Sequence, residues 1–368
     1  MSRLGAIALK ELIQVRRDRM TMAMMVALPL MQLLLFGYAI DTDVRHIPTV
    51  VLDHDQSIAS RDLARALEAT GFHDVVGHVH SYEELQRLLR RGDARVALVV
   101  PSRYGADVES GRGSTLQLVV DGSDPQIVAS ATQSATGLVA ARNVALRVQS
   151  AAGGAPITLE ATNWYNPELR TAVFVVPGIV GVILTMTMVM LTAMAIARER
   201  ERGTLEALIV SPVRSYELMI GKILPYIGIG YVQVSLILAA GHLIFDVPFE
   251  GSVPLLYALT FVFMAASLAV GLVFSTVAKT QQQAMQMSFF FLLPNILLSG
   301  FAFPWEGMPR PAQMLSEALP LTHFLRITRG IVLKGAELSD LGREPMMLVI
   351  ILGVLLTIAT LRFRKRLD

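Results

Sequence analysis

The chain has 368 residues, 53% of them hydrophobic and 17% charged, with no cysteine and a formal net charge of +2 at pH 7. Its mean hydropathy is +0.52, too apolar for a water-soluble domain of this length, so the sequence is read as a membrane protein. The lack of cysteine excludes a disulfide-stapled fold, and no nucleic-acid partner is expected.

A hydrocarbon core about 30 Å thick takes roughly 20 apolar helical residues, each rising about 1.5 Å. The segment 1–19 has Leu4, Ala8, Leu12 and Val15 at helical spacing with charged residues elsewhere on the wheel. That pattern predicts an amphipathic helix lying on the inner leaflet. A first transmembrane helix follows at 20–40. It is too long for a cleaved signal peptide, and GYAID offers a poor cleavage site.

Residues 41–170 have the composition of a soluble domain and are long enough for a core of their own. Strands are expected at 47–52, 96–100 and 115–120, and helices at 57–70, between Ser81 and Gly92, and over 125–149. Ser81 with Glu84 forms a capping-box pattern. DHD at Asp53 to Asp55 reads as a polar turn. His78 and His80 alternate, so on a strand they share a face, but no third ligand stands at a telling spacing and no metal site is assigned. Nothing in the domain looks catalytic.

Further apolar runs occupy roughly 171–197, 219–245, 253–277, 284–303 and 346–361, which makes six spans in all. Basic residues cluster before the first run, in the second loop, at Lys279 and in the tail at 362–368. With six spans these all fall on one side, so both termini are expected in the cytoplasm and 41–170 outside. Arg310, Arg326, Arg329, Lys334 and Arg343 fall on the opposite side, in an outer segment at 304–345 broken by prolines.

The spans contain no Asp, Glu, Lys or Arg between their charged flanks, so an intramembrane proton relay is not expected. Gly221-Lys222 is the only Gly-Lys pair in the cytoplasmic segments, and it lacks both the preceding glycine and the following Ser or Thr of a phosphate-binding loop. The energy source therefore lies on another chain. After the second span, ARERERGTLEALIVSPVRSYELMIGK leaves room for one short helix between a possible N-cap at Thr204 and the break at Pro212. From Thr204 to Val210 this helix is about 10 Å long, which makes it a surface lever rather than a span. Alone, RERER would read equally well as a positive flank with local ion pairs.

ARERERGTLEALIVSP, TQQQA at 280–284, ILLSGFAFP at 296–304 and LPLTHFLRITRGIVLKG at 319–335 together resemble the ABC-2 membrane subunits of ABC exporters. NWYNP at 163–167 resembles the subgroup with a large extracytoplasmic insertion, members of which are described as multidrug efflux permeases. The resemblance implies a polytopic α-helical protein with six transmembrane helices and an inserted mixed α/β extracytoplasmic domain. It also implies a non-catalytic subunit that binds no cofactor itself, with ATP and Mg on a separate ABC ATP-binding subunit. Further implied partners are a second permease copy or a homologous permease, a periplasmic adaptor protein and an outer-membrane channel.

On this resemblance the coupling helix is 203–211. Gly203, Thr204, Leu205, Glu206, Leu208 and Ile209 form its docking surface, and Glu199, Arg200, Glu201 and Arg202 steer or fix it. Residues 1–19 match the family's interfacial helix, and 304–345 its outer re-entrant helices. The substrate is expected to be hydrophobic or amphipathic. Met186, Met190, Phe290 and Asn295 are candidates for its path, although such side chains suit ordinary helix packing as well. Two alternatives stay open at this level. One is a membrane-anchored sensor or scaffold whose outer domain binds a ligand. The other is a membrane-embedded enzyme using His242 or His323, for which no GxSxG, HExxH or intramembrane carboxylate pair occurs.

Overall fold

A computed structural model describes residues 44–149, 157–203 and 215–364. The predicted interfacial helix at 1–19, the first span at 20–40 and the coupling residues Thr204, Leu205, Glu206, Leu208 and Ile209 lie outside the described residues.

The sheet domain is built from β1 (Ile47–Asp53), α1 (Ile58–Glu68), β2 (His73–Val79), α2 (Tyr82–Arg91), β3 (Val96–Val100), α3 (Tyr104–Glu109), β4 (Ser114–Asp121), α4 (Pro125–Gln149) and β5 (Ile157–Trp164). The strand order is β2-β1-β3-β4-β5. β1 runs parallel to β2 and β3, β4 is antiparallel to β3, and β5 is parallel to β4. Central strands need apolar residues on both faces, because helices cover both. Ile47, Val51, Val96, Leu98 and Val100 join one core with α1 and α4. Val50, Leu52, Ala97 and Val99 join a second core with α2.

Local chemistry sets the ends of these elements. The Ser57 hydroxyl accepts from the amide of Ser60 at the start of α1. The Ser81 hydroxyl accepts from the amide of Glu84, whose carboxylate reaches back to the His80 amide. Gly92, at φ +77, closes α2 in the left-handed conformation that glycine adopts without a Cβ clash. The Asp53 carboxylate accepts from the amides of Asp55 and Gln56, which makes the expected polar turn.

Five long helices follow: α5 (Thr171–Glu201), α6 (Ser215–Phe245), α7 (Val253–Val277), α8 (Gln281–Leu298) and, after the segment 304–345, α11 (Glu344–Arg364). Four of them are long and apolar enough to cross a membrane, over Thr171–Glu201, Leu224–Phe245, Val253–Val277 and Glu344–Arg362. The run expected at 284–303 differs. α8 starts earlier, where Thr280 caps Gln283, and it stops at Leu298 because Ser299 and the left-handed Gly300 (φ +86) turn the chain. Its early glutamines lower its hydropathy, yet its 18 residues still extend about 27 Å.

Successive helices run back and forth between two ends. The Arg170 guanidinium donates to the Asp246 carbonyl at 3.1 Å, which joins the start of α5 to the end of α6 beside the sheet domain. Arg200 reaches the Ala278 carbonyl at 2.6 Å, which joins the end of α5 to the end of α7 at the opposite end. Where α5 and α7 cross, a Cβ on Gly271 would lie 2.5 Å from the Val189 carbonyl oxygen. Only a hydrogen at that position lets the two backbones approach so closely.

The segment 304–345 contains a 3-10 turn (Trp305–Gly307), α9 (Arg310–Ser316) and α10 (Pro320–Lys334). Prolines sit in the first turns of α9 and α10, where a missing N–H costs nothing. α10 is almost wholly buried, and its Phe324 stacks on Phe263 of α7 with ring centroids 4.0 Å apart.

Candidate functional site

Two polar clusters mark the two ends of the helix bundle. At the end away from the sheet, α5, α7 and α8 converge on a small apolar plug of Ala193, Ala197, Ala278 and Ala284. Short side chains bring the helix ends close enough for polar groups to bridge them. Gln281, the first residue of α8, accepts from Arg198 Nε at 3.0 Å and donates to Glu201 Oε2 at 2.6 Å. Arg200 Nη1 donates to the carbonyl of Ala278, the buried C-cap of α7, as a cation favours at a helix C-terminus.

α5 then ends at Glu201 with Arg202 as its C-cap, and Gly203 at φ +66 turns the chain out of the helix. The structure therefore anchors the residues immediately before the predicted coupling helix. Glu199, Arg200, Glu201 and Arg202 all lie at the end of α5, where Arg200 and Glu201 join the contacts to Ala278 and Gln281. The part played by TQQQA was not assigned from sequence. Its Thr280 is an N-cap and its Gln281 is the bridge.

At the other end, a buried ionic cluster fastens the sheet domain to the segment 304–345. The Asp121 carboxylate, 1% exposed, closes β4 and accepts from Arg95 Nη1 at 2.9 Å and Lys334 Nζ at 2.5 Å. Arg95 Nε also donates to Glu306 at 2.9 Å. Lys334 Nζ donates to the Leu89 carbonyl at 3.0 Å, in the last turn of α2, and lies over the Tyr165 ring. Burial by itself would push the Asp121 carboxyl up, but Lys334 and Arg95 outweigh it and hold it well below the usual carboxylate range. Glu306 is likewise held down against its burial by Arg95. Gln126 Nε2 adds a hydrogen bond to the Ala302 carbonyl at 3.2 Å.

Basic residues of the segment 304–345 are held in the same region. Lys334 is neutralised by Asp121. Arg326 pairs with Glu317 and Glu344, Arg343 with Glu317, and Arg329 packs over Phe174 while donating to the Gly300 carbonyl.

The expected path residues fall on α5 and α8. Met186 is exposed, Met190 and Phe290 are half-buried, and Asn295 is 1% exposed with neither amide atom hydrogen-bonded among the described residues. His242 Nδ1 lies 3.2 Å from the Val247 carbonyl. His323 sits between the Glu317 carbonyl and the Glu344 carboxylate. His78 lies on β2, whereas His80 follows the strand's end and its amide is held by Glu84. Among the described residues, no three His, Cys, Asp or Glu side chains gather as a metal site.

The family described as ABC-2 family transporter protein matches residues 19–362. YbhR of Escherichia coli (strain K12), named a probable multidrug ABC transporter permease, is 31% identical over 99% of both chains. YbhS of the same organism, with the same description, is 27% identical over 100% of this chain and 98% of its own. The inner membrane transport permease YhhJ is 28% identical over 86% of this chain and 85% of its own. With a family match over nearly its whole length and full-length relatives, the chain belongs to the ABC-2 transporter family and is a membrane permease of the ABC transporter type.

Proposed function

We propose that the chain is the permease subunit of an ATP-driven exporter that moves hydrophobic or amphipathic compounds, drugs among them, out of the cytoplasm or the inner membrane. The observation that carries this reading is the bridge of Gln281 to Arg198 and Glu201, beside the Arg200 contact to α7. It ties three helix ends together two residues before the turn at Gly203. A push on the segment 203–211 would then move α5, α7 and α8 as one body. The cassette subunit that supplies the push, with its ATP and Mg, is a separate chain. Five described helices running end to end, with the span expected at 20–40, support six spans, both termini inside and the sheet domain outside. A second permease copy completes the transporter, with an adaptor and an outer-membrane channel as outer partners. The multidrug descriptions of YbhR and YbhS favour a broad amphipathic substrate class.

The test is purification of the tagged chain from its native membrane, identification of what copurifies, and ATPase and vesicle-transport assays on the complex. A stoichiometric cassette protein is expected. In Leu205→Asp its docking and substrate-stimulated turnover should be lost, because a charge buried at the docking surface costs several kcal/mol, about 3 or more. Unchanged ATP-dependent transport by a well-expressed Leu205→Asp chain would overturn the assignment.

A further inference from the structure

β5 is one of the two edge strands of the sheet, and its backbone polarity can be read from its two ends. Ile157 donates its amide to Asn143 Oδ1 at 2.7 Å and accepts from Asn143 Nδ2 at 2.8 Å, so its peptide groups face α4, away from β4. The Trp164 carbonyl accepts from the Gly122 amide at 2.9 Å, just beyond β4, so Trp164 faces the sheet. Peptide groups alternate sides along a strand. Leu159, Ala161 and Asn163 therefore present N–H and C=O outward, with no strand beside them among the described residues.

Two grooves meet at this edge, and both are lined by Ala161 and Asn163. One, of about 500 Å³, lies on the α4 side against Val128, Ala129 and Thr132. In its lining, Thr132 Oγ1 and Asn163 Oδ1 are buried without a hydrogen-bond partner among the described residues. The other, of about 770 Å³, lies on the opposite face against Tyr82, Glu83 and Trp164. Its lining contains an acid and no base, and exposed Glu160 stands on the same face of β5.

We propose that the outer edge of β5 is a strand-addition site for an extended segment of a separate polypeptide, with apolar side chains alternating with basic ones. An extended chain is the occupant that fits both grooves, because its side chains alternate between the two faces while its backbone pairs with the edge. Its apolar side chains enter the α4 groove, and its basic ones face Glu83 and Glu160. One polar side chain among the apolar ones in the α4 groove supplies the partners that Thr132 and Asn163 lack, as buried polar atoms require. The inference does not depend on the direction of transport or on the cassette subunit.

The test uses the full chain in lipid nanodiscs and a displayed library of linear peptides about ten residues long, the upper range of strand length. Enriched peptides should alternate apolar and basic residues. A synthetic copy should slow hydrogen exchange at the amides of Leu159, Ala161 and Asn163. Ala161→Pro, which removes an outward N–H at an edge where proline is tolerated, should weaken its binding about tenfold or more, whereas Ala161→Gly should retain it. If Ala161→Pro fails to fold, the exchange pattern of the parent chain decides the matter. No enrichment over empty nanodiscs, unchanged exchange at those three amides, or equal binding to a folded Ala161→Pro chain would overturn the proposal. The cysteine-free sequence allows one further check. Efficient oxidative crosslinking of Ala161→Cys to itself would mean that a second copy holds the edge, and would likewise overturn it.

Discussion

Asp121→Asn tests whether the ionic cluster joins the sheet domain to the helices as its geometry implies. Asp121 and Lys334 are 1% and 4% exposed at their side chains, and Arg95 shares the same carboxylate. The substitution keeps the shape but leaves two cations without their counter-charge. Breaking a buried pair from one side typically costs about 3–5 kcal/mol. At about 2–4 °C per kcal/mol for a domain of this size, the unfolding midpoint should fall by roughly 6–20 °C. The two tryptophans, Trp164 and Trp305, flank the cluster, so their fluorescence during thermal unfolding in detergent reports on it directly. Adding Lys334→Met to Asp121→Asn should recover part of the loss, because it removes one orphaned charge. The Asp121 carboxyl is held below its ordinary range, so its contribution is complete above that range and falls progressively as pH drops from the ordinary carboxylate value toward the lowered native one, because the unfolded chain takes up the proton first. An Asp121→Asn chain within about 0.5 kcal/mol of the parent, the span expected of an ordinary surface change, would refute the reasoning.

Acid should weaken the sheet domain through His73. Its fully buried ring lies between the Thr49 and Ser134 hydroxyls, and burial holds its pKa at about 4 rather than 6.5. The unfolded chain takes up the proton first, so stability falls between pH 6.5 and 4, by about 3 kcal/mol in total. His73→Gln should flatten that dependence in unfolding midpoints measured across the window. Gln281→Ala should reduce transport per ATP about threefold to tenfold, as loss of two solvent-exposed bonds at about 0.5 kcal/mol each, the low end of the usual range, implies, with little change in expression. Equal coupling ratios in paired transport and ATPase assays would count against the bridge. Gly271→Leu should prevent a monodisperse protein in detergent size-exclusion chromatography, because the Val189 carbonyl it meets is backbone and cannot rotate away. Overpacking of this kind usually costs about 1–3 kcal/mol, and more where backbone must move.

The apolar runs, the capping pattern at Ser81, the turn at Asp53 and the helix over 125–149 were legible from sequence because each depends on neighbours a few residues apart. So was the proline-broken segment 304–345, since proline restricts the backbone wherever it stands. β5 was missed because an edge strand buries little, and in ITLEATNW only Ile157 is fully covered. β2, with Gly77 and two histidines in seven residues, gives a similarly weak alternation. The family was also readable from sequence, through several motifs in order, and the match over residues 19–362 agrees with it. Neither polar cluster could be read that way. Lys334 and Asp121 stand 213 residues apart and Gln281 and Glu201 stand 80 apart, and no local pattern marks such pairs. Helix-forming and membrane-crossing tendencies reside in the chain's own short-range order. The partner of a buried charge is decided only when packing brings distant segments together and excludes the water that would otherwise have solvated both.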